Sequence, residues 1–241
     1  MKRIIVAALS ACLLFSSTAG AEVFGPASPA AKPGVLTLGG GLTGNAFSYE
    51  VDNTNFFDSK AKQVQGYLQL AYATSTSCET YLRLGMADLR IDNVFGNGRD
   101  FKADYEPYGT IGIKGLLRKN PNFDLGVFLQ GSYFGDYSDS SVIGGTTAAL
   151  SIEKTWEANL GLVLQKELDG GILYGGPLAY IRQGDVQTSI GAASASDNFE
   201  EEGNFGGLLG VRWPLKNGVT FDFEAQLKSE VSGGAAVTFP F

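Results

Sequence analysis

Apolar side chains return at every second position in segment after segment of this 241-residue chain, and after residue 21 they never run together for the ~20 positions a membrane-spanning helix needs. Period two places successive side chains on opposite faces of an extended strand. The clearest case is 62–74, where Val64, Gly66, Leu68, Leu70 and Tyr72 alternate with Gln63, Gln65, Tyr67 and Gln69. About ten such segments can be read, at 35–49, 62–74, 79–91, 105–117, 123–136, 147–166, 172–183, 204–213, 219–228 and 231–241. The connections after the second, fourth, sixth and eighth are brief, and those after the first, third, fifth and seventh are long and polar. Only the connection after the ninth is short on the long side. Short turns on one side and long loops on the other describe an all-β, antiparallel, up-and-down barrel, and an even strand count returns both termini to one end. Within the seventh segment Ile172, Tyr174, Gly176, Leu178 and Tyr180 are expected on the apolar side, with a bulge or kink at Pro177.

The two ends of the chain carry the strongest local signals. Lys2 and Arg3 precede an apolar run from Ile4 to Phe15, followed by Ala19, Gly20 and Ala21, the pattern of a secretory signal cleaved before Glu22. A lipoprotein-like box at Leu9 to Cys12 would leave Leu13, Leu14 and Phe15 at the new start, so cleavage after Ala21 is preferred. The chain then divides into a signal peptide at 1–21, a Pro-rich extended periplasmic lead-in at 22–34 and a barrel at 35–241. At the other end Ala235, Val237, Phe239 and Phe241 alternate up to the terminal aromatic. This strand resembles the closing strand of Gram-negative outer-membrane β-barrels of the broad OmpA-like and porin-like class, in which Phe239 and Phe241 would form the assembly signal, although Pro240 departs from the usual pattern. The resemblance implies a transmembrane barrel in the outer membrane of a Gram-negative cell envelope. It also implies contact with outer-membrane lipid, lipopolysaccharide and the barrel-assembly machinery.

Alternation alone would also fit a soluble barrel with its apolar row inside. The placement of aromatics argues against this. In up-and-down order Tyr72, Phe123, Trp213, Phe221, Phe239 and Phe241 gather at the periplasmic end of the apolar row, and Tyr133, Trp156, Tyr180 and Phe205 at the outer end. Two aromatic girdles around an aliphatic band point to a lipid-facing exterior.

Composition excludes several functions. Losing Lys2 and Arg3 with a leader takes the basic count from 18 to 16 against 25 acidic residues, moving the net charge from −7 to −9 and leaving no footprint for nucleic acid. There is no histidine, so the histidine-dependent sites of outer-membrane proteases, phospholipase and lipid A-modifying barrels cannot form. Cys78 would be the lone mature cysteine, which excludes an intramolecular disulfide. Neither Gly39 to Gly41 nor Gly96 to Gly98 precedes a helix that would make it a phosphate cradle. Glu153 and Glu157 are the nearest thing to an acid pair, and Glu200 to Glu202 to a calcium ligand set; both read more simply as solvated or salt-bridged carboxylates. No cofactor, metal or catalytic residue is expected.

The inward row carries one constellation. Arg83, Lys114 and Arg212 fall at a similar height to Asp124, Asp222 and Glu224, and with Glu153 and Glu157 they form an expected lumen charge network. A barrel of ~8 strands is filled by its own side chains and one of ~16 holds a channel, so about ten strands lie nearer the filled limit. The sequence thus favours a non-enzymatic barrel with a structural or surface-interaction role and acidic outer loops, over a narrow porin-like channel whose selectivity the charges would set. The extracellular partner is not legible.

Overall fold

The computed structural model describes residues 23–51, 59–95 and 98–241. Among these described residues there are twelve strands: β1 (Leu36–Val51), β2 (Ser59–Ala73), β3 (Cys78–Ile91), β4 (Phe101–Arg118), β5 (Asp124–Phe134), β6 (Tyr137–Ile143), β7 (Thr146–Leu168), β8 (Gly171–Ile190), β9 (Ala193–Glu201), β10 (Phe205–Pro214), β11 (Thr220–Leu227) and β12 (Val231–Pro240). The first strand closes on the last, from Thr37 opposite Pro240 to Gly44 opposite Gly233. Ten strands, β1-β2-β3-β4-β5-β7-β8-β10-β11-β12, therefore form a sealed antiparallel ring. This end of the barrel, where β1 starts and β12 stops, is called the near end below.

The remaining two strands occupy stretches expected to be loops. Residues 137–146 and 184–203 have little apolar alternation, yet β6 pairs along β7 from Tyr137–Ile152 to Ile143–Thr146, and β9 along β8 from Gln183–Glu200 to Ile190–Ala193. Gly144 and Gly145, at φ +57 and +85, supply the tight two-residue turn between β6 and β7. Both hairpins rise beyond the ten-stranded ring and extend it at the far end.

The apolar row faces outward. Leu68 and Ile111 are 66% and 69% exposed, whereas the inward-facing Gln65 is 0% exposed. Tyr72, Phe123, Trp213, Phe221, Phe239 and Phe241 are exposed near the near-end turns, and Tyr133, Trp156 and Phe205 lie toward the far end of the same face. The Phe241 N–H closes on the Leu36 carbonyl at 3.0 Å. In β8 the expected faces are reversed. Tyr174, Leu178 and Tyr180 point inward, and Leu173, Pro177 and Ile181 belong to the outward row. Tyr180 is thus not a girdle residue; its hydroxyl donates to the Glu202 carbonyl at 3.0 Å. Nor does Pro177 force a bulge. The β7–β8 register is the same on both sides of it, and Pro177 faces Gly207 across β10 with its ring outside.

Several inward aromatics lie over a bare glycine on the neighbouring strand: Tyr67 over Gly41, Tyr81 over Gly112, Tyr108 over Gly85, Phe128 over Gly161 and Tyr174 over Gly210. In each pair a Cβ on the glycine would overlap the ring. These close approaches let large side chains lie flat against the wall and fill the interior.

The far end is built differently. There β1 leaves β12 and pairs with β9, from Tyr49–Glu201 to Val51–Phe199, above the short β11–β12 hairpin. The Ser48 N–H donates to Ser229 Oγ (3.2 Å), and Ser229 Oγ donates to Glu201 (2.8 Å), seating the hairpin tip beneath that junction. On the opposite side β6 stands beside β4, tied by the Lys102 N–H on Asp139 (2.8 Å). With fewer strands around it, the interior narrows and becomes apolar, closed by Phe47, Ile91, Phe101, Leu150, Val186 and Phe199. The exterior becomes charged at the same height, with Lys60, Lys62, Arg90 and Lys102 on β2 to β4 and Lys154 on β7.

Candidate functional site: the barrel interior

Residues 22–34 were expected as an extended lead-in. Among the described residues of that segment, Val23 to Ala30 instead run inside the barrel. From the near-end mouth the chain climbs backwards, with Ala30 lowest and Val23 highest, and its backbone is held by six side chains from five strands. The Ala30 N–H donates to Glu79 (2.7 Å) and the Ser28 N–H to Gln165 (3.1 Å). The Phe24 and Gly25 N–H groups share the Glu224 carboxylate at 3.2 and 3.0 Å. Arg212 donates to the Ser28 carbonyl (3.3 Å), Lys114 to that of Phe24 (3.3 Å) and Arg83 to that of Val23 (2.5 Å). An irregular segment cannot satisfy its own amides, so its burial calls for partners of this kind from the wall. Apolar contacts complete the fit. Phe24 stacks on Phe128 with ring centroids 4.1 Å apart, and the Ala27 methyl occupies the space that a Cβ on Gly126 would need. Gly25, at φ +74, turns the chain where a side chain would press on Arg212 and Lys114.

This strap organises the charges that the sequence singled out. Arg212 forms a two-pronged pair with Asp222 at 2.8 and 3.0 Å, and Lys114 meets Glu79 at 3.3 Å. Besides the two strap amides, Glu224 accepts from Tyr174 (2.9 Å) and Gln226 (2.7 Å). Arg83 lies higher, donating to Gln69 (2.7 Å) and Gln130 (3.2 Å) between the rings of Tyr67 and Tyr81. Higher still, Glu157 holds Lys228 from the hairpin tip, Asn159 (2.7 Å) and Arg182 (3.7 Å). Arg182 in turn donates to Gln63 (3.0 Å), and its guanidinium lies over Phe47 and Phe134.

Six of the eight expected network residues are thus buried in the lumen, with Arg83 and Glu157 above the other four rather than level with them. Asp124 and Glu153 are not part of it. Asp124 caps the near-end turn, accepting from the Asn120 N–H at 3.2 Å. Glu153 falls before a register shift in β7 that reverses inside and outside, so it accepts from Ser151 and Gln187 on the far-end hairpins instead of joining Glu157. The reading also missed Glu79, Arg182, Glu201 and Lys228. Arg182 shares the even-numbered row of β8 with Tyr174 and Tyr180, and its charge was the one sign that this row points inward. Strand alternation separates Glu200 to Glu202, with Glu201 buried and Glu200 exposed, and among the described residues no group of His, Cys, Asp and Glu is arranged to hold a metal.

One recess lies among Val23, Tyr67, Arg83 and Lys114, another among Phe47, Ile91, Arg182 and Phe199, and each is about the size of one water molecule. Buried ion pairs add little net stability, but removing one partner of a pair is costly.

No protein-family model matches the chain, and no curated protein matches it. Solved structures do match in fold. The translocator domain of the autotransporter NalP from Neisseria meningitidis superposes with a TM-score of 0.50 at 12% identity, covering 88% of this chain and 90% of that one. The fold is shared with a translocator barrel. Weaker matches include the CymD monoaromatic hydrocarbon channel (TM-score 0.37, 11% identity, 90% of each chain) and the transport unit of the autotransporter AIDA-I from Escherichia coli (TM-score 0.27, 11% identity, 87% and 89%). The closed barrel is therefore established by its own strand pairing and by a known fold, and the OmpA-like or porin-like assignment receives no family match.

Outside the ring the collar charges pair locally. Lys62 meets Asp92 at 2.8 Å, Lys154 meets Asp185 at 2.6 Å and Lys102 meets Asp100 at 3.4 Å. The Asn93 N–H on the Asp100 carboxylate, with Lys102 beside it, holds that group below the usual carboxylate range. Such exposed pairs are worth about 0–1 kcal/mol, and they mark a surface meant for water.

Proposed function

We propose that this protein is an integral outer-membrane β-barrel, exported by its N-terminal signal, with a sealed lumen and a non-enzymatic structural or surface-interaction role. The exposed leucine band between two sets of aromatics supports a lipid-facing wall, and the charged collar above it supports emergence of the far-end hairpins into water. Outer-membrane lipid and lipopolysaccharide would contact the wall, and the assembly machinery would receive the closing strand with Phe239 and Phe241.

The observation that carries the sealed reading is the filling of the lumen at successive heights. The strap and its charges occupy the near end, Arg83 and Arg182 with their glutamines and tyrosines the middle, and an apolar core the narrowed far end. Removing the strap alone would leave the far-end core in place, so this barrel has two seals in series. Planar bilayers containing purified protein are expected to show no single-channel steps, and regular conductance steps would replace this reading with that of a narrow pore.

A further inference from the structure

Cations on the outside of the wall are partnered differently at its two ends. In the far-end collar Lys60 meets Glu230, Lys62 Asp92, Arg90 Asp88, Lys102 Asp100 and Lys154 Asp185, while Arg99 donates to Ser141 at 3.2 Å. At the near end Arg118, Lys119 and Lys166 are exposed, and among the described residues none of the three has an ion pair or a side-chain hydrogen bond.

Strand register gathers these three on one stretch of the wall. Arg118 stands opposite Leu125 of β5, and Leu125 opposite Leu164 of β7, so the three positions run side by side. Lys166 is the next outward residue of β7 after Leu160, Leu162 and Leu164, and it faces Leu173 of β8. Phe123 precedes Asp124, the partner of Gln165, and so falls at the height of Lys166. Neighbouring strands are ~4.8 Å apart and residues ~3.4 Å along a strand, which puts the Arg118 and Lys166 backbones about 12 Å from each other. Their long side chains can close that gap around one phosphate group, and Lys119, at the start of the turn, can join them. The acids of this edge are directed elsewhere. Asp124 accepts from the Asn120 N–H, Glu167 falls on the inward row of β7 with Gln165, and Asp169 belongs to the tip of the β7–β8 turn.

Above these cations the outward residues are hydrocarbon. Unpaired positive charge at the foot of an apolar band is complementary to an amphiphile with an anionic head and acyl tails. We propose that the edge between the β4–β5 turn and β7 is a binding site for a phospholipid of net negative charge. Its phosphodiester is held by Arg118, Lys119 and Lys166, and its chains lie along Leu125, Leu162 and Leu164. The site rests on the lipid-facing reading of the wall and adds to it a headgroup chemistry and an end: the collar, whose cations are already partnered, has no such preference.

Tryptophans on the outer face report each end separately. Leu173, opposite Lys166, is also opposite Val211, two residues from Trp213, whereas Trp156 lies toward the far end. Trp156→Phe and Trp213→Phe proteins are reconstituted in phosphatidylcholine vesicles containing brominated phosphatidylcholine or brominated phosphatidylglycerol. Brominated phosphatidylglycerol is expected to associate beside Trp213 at least about fivefold more tightly than brominated phosphatidylcholine, the gain that one basic contact gives at a membrane surface. Beside Trp156 the two lipids are expected to quench alike. Arg118→Gln, Lys119→Gln and Lys166→Gln together, in a protein checked for slower gel migration after boiling, are expected to abolish the preference at Trp213. Equal association of the two lipids beside Trp213, the same preference at both tryptophans, or a preference that survives the triple substitution overturns the site and leaves the lipid-facing wall standing. Quenching of neither tryptophan by either lipid overturns the wall reading itself, and the site with it.

Discussion

The contact between the strap and the wall can be tested by a pair of substitutions whose effects should reverse sign. Ala27 is 1% exposed, and its methyl sits where a Cβ on Gly126 would have to be. Ala27→Gly alone removes one buried methyl, worth about 0.8 kcal/mol, and frees the unfolded backbone by a further 0.4–1 kcal/mol or so. The loss should therefore be about 1–2 kcal/mol. Gly126→Ala alone forces a methyl into occupied space and should cost about 1–3 kcal/mol, by displacing the strap or straining β5. In the double variant the strap no longer opposes the new methyl, and what persists is its approach to the Gly115 carbonyl at 2.9 Å. Ala27→Gly should thus stabilise the Gly126→Ala protein by roughly 1 kcal/mol although it destabilises the parent, a coupling of about 2 kcal/mol. The measurement is reversible urea unfolding in lipid vesicles, followed by emission from Trp156 and Trp213 on the outer wall. If Ala27→Gly lowers stability equally in both backgrounds, Ala27 does not sit on Gly126 and the interior placement of the strap is wrong.

Three other perturbations have defined outcomes. Arg212→Met leaves Asp222 buried without its two-pronged partner and should cost about 3–5 kcal/mol in the same urea assay, with Arg212→Met plus Asp222→Leu recovering a large part; no recovery would show that the pair is not an isolated unit of the lumen. Leu68→Arg places a charge in the middle of the outward leucine band and should cost about 2–4 kcal/mol in lipid vesicles, while Lys62→Gln in the collar should stay within about 0.5 kcal/mol; comparable costs would deny the boundary between band and collar. Lys154 adopts φ +51 at the β7 register shift, so Lys154→Gly should be tolerated and Lys154→Val should lose about 1–2 kcal/mol, and a tolerated valine would remove the bulge from the account.

Much of the barrel could be read from the chain because the strand period is two and lipid requires one face to be apolar throughout. The residues of β2 alone specify a strand, its outward row and the polarity of its inner one. The same logic failed in β8, where both rows are apolar: Leu173 and Ile181 face out, while Tyr174, Leu178 and Tyr180 face in to meet Phe24, Phe128 and Leu208. Tyr174 reaches the strap through Glu224, and the strap has no periodicity to read. Its partners are visible only as isolated oddities, a glycine at 126 and a carboxylate at 224, whose meaning depends on a segment about 100 to 200 residues away in sequence. Glu153 was misplaced for a different reason, since parity counted along a strand is valid only until the next bulge.

Bulges also explain how a barrel greasy outside can become an extension greasy inside. Along β2 the change is written directly, because the outward row passes from Tyr72, Leu70, Leu68 and Val64 to Lys62 and Lys60, and the inward row from Gln65 and Gln63 to Ala61. In β4 and β7 the rows themselves are exchanged. Tyr108, Thr110 and Lys114 face in on even positions of β4, but beyond the shift opposite Asp88 the inward residues are Phe101 and Ala103, with Lys102 outside. In β7 the inward row passes from Val163, Asn159, Glu157 and Thr155 to Ile152, Leu150 and Ala148 across the shift at Lys154. Without these two inserted steps Lys102, Asp104 and Glu153 would point into the narrowed lumen, and Phe101, Leu150 and Ile152 would point into water. The Asp88 carboxylate, accepting from the Val64 N–H at 2.5 Å, satisfies an amide that the irregular pairing would otherwise expose. Across β2, β3 and β4 the first charged row is in direct register, Lys62 opposite Arg90 and Arg90 opposite Lys102. Register shifts and sequence changes therefore meet at one height, which sets the upper edge of the lipid-facing band and the lower edge of the far-end core together.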